Sequence, residues 1–289
     1  METTQEQFLI AIARIEKFSP APLILARAMK LLRDPQSDVA SIASLVGSDP
    51  SLTADIIRCA NSAYYGVSEP IQTIDQAVQK IGFRETIHLL NLAVARLTAS
   101  RDLVSYRISA DDFWAESLFN GLFLRNLATK TACAEADEAY TVGLLRFIGR
   151  LAICRSIQDL GVGLVWSGDR PIGRWEKESV GFVQAQAGAI LLAKWQFPAG
   201  MIQAVAGQDA PAQLREPSRL AGALYFTSTL LPQGFGATFP SVIANVSSVA
   251  PMAGDFMEKN GLTPADVDAL LATTRQDYYH IRQHLGSPD

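Results

Sequence analysis

Histidine and cysteine are the side chains that most often bind metals and supply nucleophiles, so their placement limits the chemistry open to this chain. The 289 residues include three histidines and three cysteines. His280 and His284 are four residues apart, close to Asp277, and could share one helix face. That spacing suits a pair of metal ligands, and it also suits a solvated helix face. His88 lies in an apolar stretch, as a buried core histidine would.

The other catalytic patterns are incomplete. Cys59, Cys133 and Cys154 share no metal-site spacing and lie in apolar stretches, so we expect buried free thiols. Gly161 and Gly163 lack the third glycine and the preceding strand of a dinucleotide-binding loop. The sequence contains no nucleophile-elbow pattern for a Ser, His and Asp set. These residues therefore predict no catalytic site.

Composition narrows the classes of partner. The formal net charge is −4 and no cluster of Lys and Arg is present, whereas a duplex-binding surface needs concentrated positive charge. We therefore expect no nucleic-acid partner. No apolar run reaches the roughly 18 residues of a membrane span, and the polar, acidic start does not resemble a secretory signal. The expectation is a cytoplasmic protein without a membrane partner.

Hydrophobic spacing predicts an all-α protein. Apolar residues recur with the helical period, and no segment alternates with period two for long. The predicted helices include 73–82, 83–97, 109–129, 140–157, 175–195, 198–206, 218–230, 242–257 and one that opens at Thr263. A polar connector at 101–109 divides the chain into 1–105 and 106–289.

One helix near the N-terminus carries an unusual end. Asp49 is a good N-cap and Pro50 suits the first helical position, while Gly66 is predicted to end the helix in a left-handed conformation. Asn61 and Ser62 are poor residues for a helix interior because their side chains compete for backbone hydrogen bonds. They could hold a neighbouring loop, or they could simply close a C-terminal turn.

The same stretch carries a family resemblance. The runs Asp-Pro-Ser-Leu-Thr at 49–53, Ala-Asn-Ser-Ala-Tyr-Tyr-Gly at 60–66, Ile-x-Thr-Ile-x-x-Ala at 71–77 and Ile-Gly at 81–82 resemble the HDOD domain. The resemblance covers about residues 14 to 210. It implies an N-terminal helical subdomain packed on an HD-like helical bundle, related to HD and HD-GYP phosphohydrolases. It also implies a bacterial regulatory module whose metal site has decayed.

The resemblance places the lost metal ligands on this chain. The His-Asp pair of the hydrolases comes in a Gly-Leu-Leu-His-Asp-Ile-Gly run, which here reads Gly-Leu-Leu-Arg-Phe-Ile-Gly at 143–149. An earlier ligand falls at about Glu116, a later one at Gln184 and a final pair at Gln208 and Asp209. We call the resulting set the HD-position residues: Glu116, Arg146, Phe147, Gln184, Gln208 and Asp209.

The chemistry of this set disfavours a metal. Arg146 has no lone pair to donate and stays charged at working pH, and Phe147 cannot replace a bridging aspartate. A fixed cation about 4 Å from a metal ion is repulsive by several kcal/mol in a partly buried site. We therefore expect no metal, no cofactor and no enzymatic activity. Glu116 and Arg146 could instead form a salt bridge that fills the old cavity.

The resemblance implies work through protein contacts. We expect a signalling protein as partner, in a second-messenger, two-component or motility pathway. A nucleotide sensor whose Arg146 contacts a phosphate, and a residual metal-dependent phosphohydrolase, are the alternatives.

The expected partner surface is the turn after Asn61 and Ser62. Replacing Asn61 or Tyr64 with alanine should then weaken partner capture and lower the melting temperature by a few degrees at most. The full set of motif residues is Asp49, Pro50, Asn61, Ser62, Tyr64 and Gly66.

Overall fold

The described part of the protein is mostly α-helical. The computed structural model describes residues 4–15, 21–31, 34, 39–47, 50–62, 64–98, 101–211, 218–231 and 251–285. These residues form no strand, and their isolated β-bridge joins Leu103 to Ile108. The predicted all-α class is confirmed. Among the same residues, no helix is both long and apolar enough to cross a membrane.

The described residues form fifteen α-helices and one 3-10 helix. Their bounds are α1 Thr4–Arg14, α2 Ala21–Leu31, α3 Val39–Gly47, α4 Pro50–Ala60, α5 Ile74–Ile81, α6 Phe83–Thr98, the 3-10 helix Val104–Tyr106, α7 Ala110–Thr131, α8 Ala136–Leu145, α9 Ile148–Asp159, α10 Ile172–Val180, α11 Gln184–Lys194, α12 Ala199–Ala206, α13 Arg219–Leu230, α14 Pro251–Lys259 and α15 Pro264–Leu285.

Several helix starts are fixed by capping side chains. The side-chain oxygens of Thr73, Ser109 and Ser218 each accept a hydrogen bond from a backbone N–H in the first turn of α5, α7 and α13. Thr263 does the same for the N–H of Asp266 at the start of α15. A cap of this kind satisfies an otherwise unpaired donor and contributes about 1 kcal/mol. Asp49 lies outside the described residues.

Two layers of helices share one continuous hydrophobic core. Helices α2 to α6 pack on one another, and α6 joins them to α7 and α8. The second layer is built on α7 paired with α8 and on α9 paired with α11, with α12 and α13 alongside. The first helix belongs to the predicted segment 1–105, yet α1 packs on α9 and α11 of the second layer. The predicted boundary between 1–105 and 106–289 stays a prediction.

The C-terminal helices join the second layer. Helix α15 runs along α7, where the Asn126 side chain donates to Thr274 and Asp277 at 3.2 and 3.1 Å. Arg282 adds two hydrogen bonds to the carboxylate of Asp111, at 2.9 and 3.0 Å. The family-like segment and the residues after it are therefore packed together.

The helix predicted over 140–157 is interrupted, which corrects the sequence-based expectation. Helix α8 ends at Leu145 and α9 begins at Ile148, and Phe147 between them has φ −102° and ψ 12°. The carbonyl of Arg146 accepts a hydrogen bond from the side chain of Gln208 at 3.0 Å. This tertiary hydrogen bond helps to hold the break between α8 and α9. The apolar pattern of the sequence does not indicate the break.

Two other predicted helix ends are also wrong. The helix predicted over 175–195 is divided at Gly181, whose φ of +90° ends α10. A Cβ atom added there would lie 2.8 Å from Gln5 of α1. Helix α4 ends at Ala60, and Gly66 takes its predicted left-handed φ, +55°, after an intervening turn. The start of the helix predicted over 242–257 lies outside the described residues.

Candidate functional site

The break between α8 and α9 places Arg146 inside the helical bundle. Its side chain is 1% exposed. Nη1 donates to Asn120 Oδ1 at 2.7 Å, and Nε donates to Gln208 Oε1 at 3.3 Å. Burial lowers the pKa of Arg146 to about 10, so the guanidinium is still charged at neutral pH. A fixed positive charge thus occupies this position.

Arg150, one helical turn further on, holds the carboxylate of Glu116. Its Nη1 lies 3.4 Å from Glu116 Oε2, and both side chains are buried. The sequence suggested a salt bridge between Glu116 and Arg146. Arg150 forms the ion pair with Glu116 instead, because the turn of α9 brings Arg150 to face α7. Arg146 donates to Asn120. The guanidinium carbons of Arg146 and Arg150 lie 4.5 and 4.0 Å from the ring centroid of Phe147. Phe147 thus packs against both cations.

A cleft adjoins this buried cluster. Its volume is about 460 Å³, and Trp166, Ile172, Glu176, Gln184 and Asp209 are among the residues that line it. Gln184 and Asp209 are HD-position residues that reach the cleft, while Glu116, Arg146, Phe147 and Gln208 are buried. All six HD-position residues are linked to this region by hydrogen bonds, ion pairs, ring contacts or charge interactions.

Glu176 is the titratable group most strongly held in the wall of the cleft. It is 1% exposed, and its two oxygens accept hydrogen bonds from Tyr106 Oη at 3.0 Å and from the backbone N–H of Gln184 at 2.8 Å. Burial raises the pKa of Glu176 to about 7, although Arg150 and these hydrogen bonds oppose the shift. The carboxyl group therefore titrates near neutral pH.

The donor set does not fit a catalytic metal ion. The two central positions carry a guanidinium and a phenyl ring, neither of which offers a lone pair, and the charge of Arg146 opposes a divalent cation. Among the described residues, no group of three or more His, Cys, Asp or Glu side chains converges as a metal site would. No step of metal-assisted hydrolysis can be derived from this arrangement.

The cluster is held by close backbone packing between α9 and α11. A Cβ atom on Gly149 would lie 1.8 Å from the carbonyl oxygen of Gln184. Only glycine allows this approach. It places the start of α9, with Arg150, directly against the first turn of α11, with Gln184, and so sets the distance between the buried cluster and the cleft.

The described motif residues lie in a second place, at the two ends of α4 and in the loop that follows it. Asn61 Nδ2 donates to the carbonyl of Ile71 at 2.7 Å, and Asn61 Oδ1 accepts from the N–H of Ile71 at 2.7 Å. This pair of bonds holds the loop that leads to α5. Pro50 is the first residue of α4, and Ser62 Oγ is buried without a hydrogen-bond partner.

A chain of polar contacts leads from the motif to the second layer. Tyr65 Oη donates to Glu85 Oε1 at 2.8 Å, and Glu85 Oε2 lies 3.2 Å from His88 Nδ1. His88 Nε2 lies 2.6 Å from Asp137 Oδ1 at the start of α8. The neighbouring Tyr64 packs its ring 4.9 Å from the ring of His280 on α15. The sequence suggested a buried core histidine. In the structure His88 bridges Glu85 and Asp137 and so links the two layers.

Sequence reasoning missed several residues of the buried cluster. Arg150 had a usable signal, since it is a second cation four residues after Arg146 in an otherwise apolar run. Asn120, Tyr106 and Glu176 had none, because only the folded chain brings these positions together. Cys59, Cys133 and Cys154 are buried and free, as predicted.

Comparison with protein-family models gives a match to the HDOD domain over residues 19–211. The chain belongs to the HDOD family. A curated protein of Treponema pallidum, described as uncharacterized, is 24% identical over 210 residues, which are 71% of this chain. The match covers 40% of that relative, so this HDOD chain spans well under half of the relative's length.

Solved structures share the fold. An HDOD domain protein of unknown function from Geobacter sulfurreducens has a TM-score of 0.68 at 19% identity, with 91% of each chain covered. A Shewanella amazonensis protein named "Putative phosphohydrolase" has a TM-score of 0.67 at 19% identity, with 98% of this chain and 99% of that chain covered. A Marinobacter aquaeolei protein named "Putative signal transduction protein" has a TM-score of 0.68 at 20% identity, with 97% of this chain and 64% of that chain covered.

Proposed function

We propose that this HDOD protein is a non-catalytic signalling module that acts by binding another protein. The observation that carries the proposal is the buried cluster of Arg146, Phe147 and Arg150. Arg146 and Phe147 stand where the resemblance places the His and Asp ligands of the hydrolases, and Arg150 packs beside them. The two guanidinium groups are tied to Asn120, Gln208 and Glu116. The cluster is a packed core and not a vacant ligand set.

The shape of the motif region supports a contact surface there. Asn61 fixes the loop, and Tyr64 is 39% exposed beside His280. Tyr279, the residue before His280, is 51% exposed. We call Tyr64, Tyr279 and His280 the aromatic surface. Exposed tyrosines on a rigid support are typical anchors of protein interfaces, because they bury large area with little loss of side-chain entropy. A bacterial signalling protein is the proposed partner, in a second-messenger, two-component or motility pathway.

Metal content and turnover test the non-catalytic part. The purified protein is incubated with Mn²⁺, Fe²⁺ or Mg²⁺, desalted and analysed for bound metal, and then assayed with bis(p-nitrophenyl) phosphate and cyclic dinucleotides. An active HD-GYP phosphodiesterase serves as positive control. We expect substoichiometric metal and no hydrolysis above the protein-free rate. Stoichiometric metal with turnover would establish the phosphohydrolase alternative and overturn the proposal.

Partner capture tests the binding part. Tagged protein is cross-linked in its bacterial host and the captured proteins are identified by mass spectrometry. The partner is then purified and its affinity measured with wild type, Tyr64→Ala and Tyr279→Ala. We expect the two variants to weaken binding by about tenfold or more. Val165→Ala, which removes an equally exposed apolar side chain elsewhere, should bind as wild type does. Equal affinity for all four proteins would exclude the aromatic surface as the interface.

A further inference from the structure

His88 is held between two carboxylates that come from different layers. Its Nδ1 lies 3.2 Å from Oε2 of Glu85 on α6, and its Nε2 lies 2.6 Å from Oδ1 of Asp137 on α8. An ionised carboxylate accepts hydrogen bonds and cannot donate them, so each ring nitrogen needs a hydrogen to satisfy this arrangement. The geometry therefore fits the imidazolium form of His88, and a neutral ring can keep only one of the two hydrogen bonds.

Glu85 extends the contact to the loop after α4. Its other oxygen, Oε1, accepts a hydrogen bond from Tyr65 Oη at 2.8 Å. Burial, together with the charge of Glu85, raises the pKa of Tyr65, so the hydroxyl keeps its hydrogen at neutral pH. The ring of Tyr65 lies 4.7 Å from that of Tyr64, which is part of the aromatic surface. We call Tyr65, Glu85, His88 and Asp137 the relay.

The other charged and titratable groups around the relay keep its carboxylates ionised. Hydrogen bonds from His88 lower the pKa values of both carboxyl groups, and the charge of Arg125 on α7 adds to this effect. Arg84 is a further cation, 3.8 Å from Asp137 and largely exposed, so solvent and salt screen it. Tyr140 of α8 packs its ring 5.5 Å from the imidazole, and burial raises the pKa of Tyr140. His88 is therefore the group of the relay that changes charge near neutral pH.

Loss of the His88 proton breaks the longer of the two contacts. The remaining hydrogen stays on Nε2, because the contact with Asp137 is the shorter one. Nδ1 then presents a lone pair to the carboxylate of Glu85, and two acceptors face each other. The side chain of Glu85 is 35% exposed and can turn towards solvent. That movement removes the acceptor from the hydroxyl of Tyr65.

We propose that His88 is a pH-sensitive link between the layers, which ties the loop carrying Tyr64 and Tyr65 to α8 while it is protonated and releases that loop when it loses the proton. The hydrogen bonds between Asn61 and Ile71 do not titrate, so the release is local. This regulation rests on the proposed function, because it acts on the loop that presents Tyr64 to a partner. Burial opposes the charge on His88, but the hydrogen bonds with the two carboxylates outweigh burial and raise its pKa. The release therefore falls above pH 6.5, approximately the usual pKa of histidine.

A double-mutant cycle in the isolated protein tests the link. Urea unfolding is measured between pH 5.5 and pH 9 for wild type, Tyr65→Phe, His88→Gln and the double variant. With His88 present, we expect Tyr65→Phe to raise the equilibrium constant for unfolding by about tenfold at pH 5.5 and by about threefold or less at pH 9. With Gln at position 88, the effect of Tyr65→Phe should be the same at every pH.

Nuclear magnetic resonance of ¹⁵N-labelled histidine measures the proton itself. The chain has three histidines, so each signal is assigned by replacing one residue. We expect His88 as the imidazolium at pH 5.5 and with its single hydrogen on Nε2 at pH 9. Glu85→Gln, whose amide can donate to the neutral Nδ1, should lower the pKa of His88 and make the effect of Tyr65→Phe independent of pH. The control His280→Gln removes the imidazole beside Tyr64 and should change neither result.

Two results would overturn the proposal. An equal effect of Tyr65→Phe at pH 5.5 and pH 9, with His88 present, would show that the proton does not control the loop. A neutral His88 at pH 5.5 would show that the carboxylates do not hold its proton. Either result leaves the proposed function standing if Tyr64→Ala still weakens partner binding. Conversely, a pH-dependent Tyr65→Phe effect without any effect of Tyr64→Ala on binding would support the link and remove the interface.

Discussion

Asn61 shows how a single side chain fixes a loop against its local preference. Its amide uses both a donor and an acceptor on the backbone of Ile71, ten residues away, and also donates to the carbonyl of Ile57 at 3.0 Å. The sequence predicted a polar side chain that would hold a neighbouring loop or close a turn, since Asn is poor in a helix interior. It could not identify Ile71, because the partner depends on the path of the loop.

This geometry changes the expected effect of Asn61→Ala. Two hydrogen bonds to Ile71 are lost, and each contributes about 0.5–1.5 kcal/mol. We predict that the free energy of unfolding in urea falls by about 1–3 kcal/mol. Ser68→Ala, a change at an exposed position of the same loop, should leave it unchanged. A loss at the upper end of this range would exceed the few degrees of melting temperature expected from the sequence, so Tyr64 is the better probe of partner binding.

His88 makes stability depend on pH. Burial opposes its charged form, but hydrogen bonds with Asp137 and Glu85 outweigh burial and raise the pKa of His88 above its usual value. The same contacts lower the pKa values of Glu85 and Asp137. Folding therefore favours protonated His88. Its contribution to stability is complete below the unfolded pKa of about 6.5 and is lost as the pH rises through the higher folded value.

We predict that His88→Gln is most destabilising at about pH 5.5 and progressively less so towards pH 9. Hydrogen bonds to charged groups contribute about 1.5–3 kcal/mol, which sets the upper limit of the difference. Urea unfolding of both proteins at several pH values measures it. The carboxylates contribute in the opposite direction only near and below pH 4, outside this range. A pH-independent difference between the two proteins would show that folding does not shift the pKa of His88, and a difference that grows with pH would show that the folded protein holds His88 neutral.

At the scale of elements, the sequence did not predict that two of the helices are interrupted. The segments 140–157 and 175–195 were each predicted as one helix, and each contains a break that tertiary contacts hold. Gly181 offered a weak signal, since glycine is frequent where a helix ends. Arg146 and Phe147 offered none. The starts of α5, α7, α13 and α15 were predicted well because their caps are local.

The contact between α9 and α11 can be tested at its closest point. In Gly149→Ala the added methyl carbon would lie 1.8 Å from the carbonyl oxygen of Gln184, so the two backbones must separate. We predict a loss of about 3 kcal/mol or more in the free energy of unfolding, at the upper end for overpacked sites. Thermal and urea unfolding, followed by circular dichroism, provide the measurement.

Gly200→Ala is the matched control. Gly200 lies in α12, is exposed, and would have no atom within 4 Å of its new Cβ. Alanine is preferred over glycine in a helix by about 1 kcal/mol, so this variant should be as stable as wild type or slightly more stable. Equal effects of the two substitutions would show that helix propensity, and not the approach of the backbones, decides the outcome at Gly149.

At the scale of the whole molecule, the question is whether the two layers unfold together. The polar connector at 101–109 predicted a division, but several contacts cross it. Thr141 Oγ1 lies 2.7 Å from Asn91 Oδ1 and 3.3 Å from Met29 Sδ, and His88 meets Asp137. Helix α1 reaches over to α9 and α11. Sequence reasoning could not foresee these contacts, because a connector shows where a chain is polar and not what packs across it.

The tryptophans allow this to be measured without any label. All four, at 114, 166, 175 and 195, lie after residue 105. Tryptophan fluorescence therefore reports on the second layer, whereas far-ultraviolet circular dichroism reports on all helices. Because the hydrophobic core is continuous across both layers, we predict a single urea transition with the same midpoint by both probes. A circular dichroism transition that precedes the fluorescence change would show that 1–105 unfolds by itself.

A core substitution in the first layer, which contains no tryptophan, sharpens the same test. Ile42 in α3 is fully buried, and Ile42→Ala should remove about 2–5 kcal/mol from the free energy of unfolding. If the layers are one cooperative unit, the fluorescence midpoint of Ile42→Ala falls together with the circular dichroism midpoint, although no tryptophan lies in the first layer. If only the circular dichroism midpoint shifts, the two layers unfold as separate units. The contacts across the connector then contribute little to the stability of either layer.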